Sequence, residues 1–147
     1  MSTVRDGVEL AKTLESESIN TYEIYQAMTE HHSLQRMLDA LIEGGRTRIA
    51  DLAGFEQRYG LDGIADLDKE AALEVDDLRI AQIVDAGMEY TDFLAMICER
   101  EENVAVLYDR LAAVISERAP QHALKRLAED KRKQLWLVKS RLELEQM

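Results

Sequence analysis

Four long stretches of this chain, about 3–30, 34–59, 89–117 and 120–146, repeat apolar residues at spacings of three and four, a period that only amphipathic helices satisfy. One proline and seven glycines in 147 residues leave those stretches almost unbroken, and Ala, Leu, Glu, Lys, Arg and Gln fill most of the rest, so the chain is expected to be all-α. With 46% hydrophobic content it can build one core, and residues 1–147 are expected to form a single domain.

The breaks between the stretches suggest a topology. A short HHS segment separates the first two, with Ser33 a natural N-cap, so these helices should be antiparallel neighbours. The acidic, glycine-punctuated YGLDGIADLDKEAALEVDD begins a long crossover, about 60–88, with helical character expected near Asp77 to Asp85. Pro120 suits the first turn of the last helix. Two antiparallel hairpins joined by one long crossover describe a ferritin-like four-helix bundle better than a simple up-down bundle.

Charge and composition exclude several functions. A formal charge of -11, with the cations spread along the chain, disfavours DNA or RNA as a partner. No apolar run approaches the roughly 20 residues of a membrane span, and MSTVRDGVEL lacks the character of a signal peptide, so a soluble cytoplasmic protein with no membrane partner is expected. The single cysteine, Cys98, has no internal disulfide partner and reads as a small apolar residue.

One residue breaks the helical pattern. The third stripe runs Leu94, Ile97, Cys98, then Val104, Ala105, Tyr108, Leu111, Ala112 and Ile115, and Glu101 occupies its middle. An unpaired ionised carboxylate in a bundle core costs several kcal/mol, so Glu101 requires a cation, a metal or a shifted pKa. An internal repeat supplies a counterpart: offset by 86 residues, AKTLESESINTY (11–22) falls on ICEREENVAVLY (97–108), pairing Glu15 with Glu101 and Tyr22 with Tyr108. A rival offset of 84 lays LAKTLESE on LAMICERE and pairs Glu17 with Glu101. The first is preferred because the tyrosines also match.

A Glu followed seven positions later by a Tyr, in the first and third helices alike, resembles the rubrerythrin-type ferritin-like proteins. That resemblance implies two irons held between four helices, with one Glu from each of the first and third helices and an ExxH pair from each of the second and fourth. Glu15 and Glu101 match the first two ligands. The second helix carries Gly45 and Arg48 at the ExxH positions and the fourth carries Lys131 and Gln134, so the ligand set is degenerate. His31, His32 and His122 lie near helix ends, where they are poorly placed to substitute.

The charge count suggests a replacement. Glu15 and Glu101 bring two negatives and Arg48 and Lys131 two positives to the layer where the irons would lie, with Gln134 expected to complete the hydrogen bonding of an internal ion-pair network. Alternatively, Arg48 and Lys131 run along the core edge and place their charges in water. The corresponding functional expectation is a metal-free, non-catalytic bundle acting through protein contacts, with no cofactor, a homodimer being favoured and an unidentified protein partner allowed. The alternative is an atypical iron or manganese oxidoreductase, a peroxidase or ferroxidase, with Glu15, Glu17, Glu43 and Glu101 as ligands. Glu43 falls off its helix's apolar stripe and reads as a surface charge. Tyr22, Tyr25 and Tyr108 read as core residues with satisfied hydroxyls. Gly44 and Gly45 each weaken a helix by roughly 1 kcal/mol and point to close helix approach or a kink. Leu135, Trp136 and Leu137 have no common core to face, so one of them is a candidate for a subunit interface.

Overall fold

The computed structural model describes residues 2–79 and 88–147, and among these residues all regular structure is helical apart from one isolated bridge between Ala65 and Ile115. The elements are α1 (Val4–Met28), α2 (His32–Tyr59), a one-turn α3 (Leu67–Glu70), a 3-10 turn (Asp76–Leu78), α4 (Tyr90–Val114) and α5 (Arg118–Glu145). None is long and apolar enough to cross a membrane.

Local chemistry sets several boundaries. Thr3 Oγ1 accepts from the Asp6 N–H at 3.1 Å and the Asp6 carboxylate accepts from the Thr3 N–H at 2.9 Å, so a capping box opens α1. Gly60 closes α2 at φ 67°, a left-handed conformation that glycine adopts without strain. The expected cap on α2 is not formed. The helix begins at His32, behind His31, and Ser33 Oγ instead accepts from Arg141 Nη2 at 2.6 Å, tying the start of α2 to the end of α5. Pro120 lies in the first turn of α5, although that helix starts slightly earlier, at Arg118.

The residues joining α1 to α2 are Gln26 with Asp39, Glu23 with Arg46, Glu15 with Arg48 and Lys12 with Glu56. Numbers fall along one helix as they rise along the other, so the two run in opposite directions. The same holds for α4 and α5, joined through Tyr90 with Arg141, Glu101 with Lys131 and Ala112 with Gln121.

The described part of the crossover closes one end of the bundle. Ser2 N–H donates to Leu73 O at 3.0 Å, Val4 N–H to Glu70 Oε2 at 2.9 Å, and Asp66 N–H to Val114 O at 2.8 Å. Its helical content is α3 and the 3-10 turn, and the helix expected near Asp77 to Asp85 lies largely outside the described residues.

Two apolar clusters fill the interior. One gathers Val4, Val8, Leu52, Leu107, Leu111 and Leu124 with crossover residues such as Ile64, Leu73 and Leu78. The other gathers Leu34, Leu38, Leu41, Leu94, Ile97 and Val138 around Tyr25 and Phe93, whose rings stack with centroids 3.6 Å apart. Gly7 allows α1 close to α4, because a Cβ there would strike the Leu111 side chain. The remaining buried polar residues of the helices, Glu15, Ser18, Arg48, Arg100, Glu101 and Lys131, lie between the two clusters.

Candidate functional site

Each long helix except α2 and α5, which contribute cations, sends a carboxylate into this intermediate layer. Glu15 on α1 is 0% exposed, Glu101 on α4 is 2%, Lys131 on α5 is 1% and Arg48 on α2 is 4%. The structure brings all four together. Lys131 Nζ donates to Glu15 Oε1 at 2.5 Å and also pairs with Glu101 Oε2, while Arg48 Nε donates to Glu15 Oε2 at 2.6 Å. The two cations therefore do not reach for water, and the lysine bridges the carboxylates.

Two tyrosines complete the layer, and they do so crosswise. Tyr108 on α4 donates its hydroxyl to Glu15 Oε2 at 2.7 Å, and Tyr22 on α1 donates to Glu101 Oε1. The ring of Tyr22 belongs to one apolar cluster and that of Tyr108 to the other, so each crosses from hydrocarbon into the charged layer. Each Glu-Tyr repeat thus satisfies the glutamate of the other repeat. Glu17 faces elsewhere, its side chain 53% exposed and paired with Arg100 at 3.0 Å.

The electrostatics follow from this arrangement. Burial works against ionisation of Glu15, but the charges and hydrogen bonds of Lys131 and Arg48 outweigh it and hold the carboxyl below its ordinary pKa. Burial likewise disfavours the Arg48 guanidinium, and Glu15 more than compensates, raising its pKa. Burial, reinforced by Glu101 beside Tyr22 and by Glu15 beside Tyr108, pushes both phenols well above the usual range. They remain neutral donors.

Two residues behave differently from expectation. Gln134 does not join the network. Its Nε2 donates to Ala40 O at 3.3 Å and its Oε1 has no hydrogen-bond partner. The cause is Gly44, which leaves a gap on α2 that the Gln134 amide fills; a Cβ there would overlap it. Arg100 was invisible as a core residue because it lies off the α4 stripe, yet it is only 4% exposed. It donates to Ser18 Oγ at 2.7 Å and Leu14 O at 3.2 Å as well as to Glu17. The available signal was Ser18, a small hydroxyl residue on the buried face of α1. With Arg100 included, the layer holds three cations and two carboxylates, and the half-exposed Glu17 supplies the balancing charge at its rim.

The donor set does not fit a di-iron centre. Such a centre needs several carboxylates and imidazoles on one inward face, whereas this layer offers two carboxylates, both already engaged by cations and phenols. Among the described residues no three His, Cys, Asp or Glu side chains converge as metal ligands. Glu43 is a surface residue paired with Arg46 at 2.6 Å. The exposed His31 and His122 sit near opposite ends of the bundle, His31 beside Tyr90 and His122 at the start of α5. Cys98 is half-buried, and desolvation raises its thiol pKa, which leaves it a poor nucleophile. Comparison of the chain with family models, with curated proteins and with solved structures finds no match.

Proposed function

We propose that this chain is a ferritin-like bundle of the rubrerythrin type in which an ion-pair layer stands in place of the di-iron centre. On this reading it performs no redox chemistry, acts through contacts of its outer faces in the cytoplasm, and pairs as a homodimer. The observation that carries the reading is the Lys131 ammonium between Glu15 and Glu101. An ammonium brings a charge and three donors to a site otherwise suited to a cation, and with Arg48 it neutralises both carboxylates without a metal. Further support comes from the opposed directions of α1 and α2 and of α4 and α5, and from the crosswise Glu-Tyr bonds, which give the short repeat at an offset of 86 residues a physical meaning.

The rival reading, an atypical iron or manganese oxidoreductase, needs Glu17 and Glu43 as further ligands. Their side chains are 53% and 69% exposed and each is paired with an arginine. The deciding experiment is metal analysis of protein expressed with added iron and manganese and purified without chelator. Less than about a tenth of an equivalent per chain is expected. About two equivalents, lost on Glu101→Ala, would overturn the proposal.

A further inference from the structure

The outward face of α5 changes character along its length. Its inward positions, Lys131, Leu135 and Val138, are buried, while Trp136, Leu137 and Leu144 are 65%, 50% and 65% exposed. Exposed large apolar groups clustered on one helix face mark a contact surface more often than scattered ones do. Lys133, Trp136, Ser140 and Glu143 follow the three-and-four spacing of a coiled-coil seam, with Leu137 and Leu144 seven residues apart along its flank. Lys133 and Glu143 are exposed, and neither takes part in an ion pair among the described residues.

We infer that this face of α5 binds the same face of a second copy of the chain, antiparallel about a two-fold axis near Val138. The argument is complementarity of size and charge. In that register the large Trp136 meets the small Ser140 of the second copy, and Lys133 meets Glu143, each contact occurring twice by symmetry. The two Leu137 side chains approach each other close to the axis. A parallel pairing would instead set Trp136 against itself and Lys133 against itself, stacking bulk on bulk and cation on cation. A different partner would need no such internal match between the two halves of one seam. This inference deepens the proposed function by naming the partner and the surface. It can fail separately from that reading: a metal-free monomer would defeat the dimer and leave the ion-pair layer intact.

The test is sedimentation equilibrium of the full chain, with emission from its single tryptophan followed on dilution. A mass twice 16.8 kDa is expected, with Trp136 emission shifting to the red as the dimer dissociates. Trp136→Ser should weaken association by roughly thirtyfold or more. Lys133→Glu and Glu143→Lys should each weaken it, and the double variant should restore it. All three substituted positions are exposed, so circular dichroism should be unchanged. A wild-type monomer at high concentration, a dimer indifferent to Trp136→Ser, or a double variant no tighter than its single parents would each overturn the inference.

Discussion

In the apolar cluster around Leu107 and Leu111 any hydrocarbon of suitable shape would serve, whereas in the layer around Lys131 each group is tolerable only because a specific other group is present. Both regions are equally buried. The difference is that apolar burial is favourable residue by residue, while a buried charge repays its desolvation only through its partners. A cluster degrades gradually when altered. The layer should fail sharply when one member is removed and survive when all are replaced.

The largest effect is therefore expected from Lys131→Met, which keeps volume but takes the ion-pair partner from Glu101 and leaves Glu15 with Arg48 alone; thermal or urea unfolding should show a loss of about 3–5 kcal/mol. Replacing Glu15, Arg48, Glu101 and Lys131 together by apolar residues, with Tyr22→Phe and Tyr108→Phe, should recover most of that loss, which would separate mutual dependence from simple packing. Leu111→Ala in the neighbouring cluster should cost about 3 kcal/mol through lost contacts and a cavity beside Gly7. Tyr22→Phe, which leaves Glu101 with one donor fewer, should cost roughly 2 kcal/mol.

Titration gives a smaller and graded comparison. Glu15 has a depressed folded-state pKa, so its contribution is complete above the unfolded value of about 4.3 and is lost as pH falls through the lower folded value. Tyr22 and Tyr108 have raised pKa values, so theirs is complete below about pH 10 and is lost as pH rises toward the folded values. Unfolding curves across both limits, with tyrosinate absorbance on the alkaline side, would check the two signs. The smallest effect belongs to the surface: Glu43→Gln, which removes an exposed pair with Arg46, should change stability by less than about 0.5 kcal/mol.

The helical content was legible because 3.6-residue periodicity runs through every long element, and the four buried charges were legible because each interrupts or borders an apolar stripe. The repeat could select Glu15 over Glu17 through its tyrosine, two turns away on the same face. Arg100 was hidden because its position on α4 reads as solvated, and it is buried only by the approach of Leu14 and Ser18 on another helix. Gln134 was misassigned for a related reason. Its column on α5 points toward the layer, but the missing side chain at Gly44 offers it a nearer place. Periodicity describes one helix at a time; these two residues depend on how closely two helices approach.

The crosswise tyrosines bear on how the chain is made. During synthesis α1 and α2 leave the ribosome first, carrying Glu15 with Arg48 but neither Tyr108 nor Lys131. The second half completes that glutamate's shell and brings Glu101, which in turn needs Tyr22 from the first. Each half brings a cation for its own carboxylate but not the phenol that completes its shell, so the layer closes only once both halves have emerged, and the finished bundle should unfold as one cooperative unit.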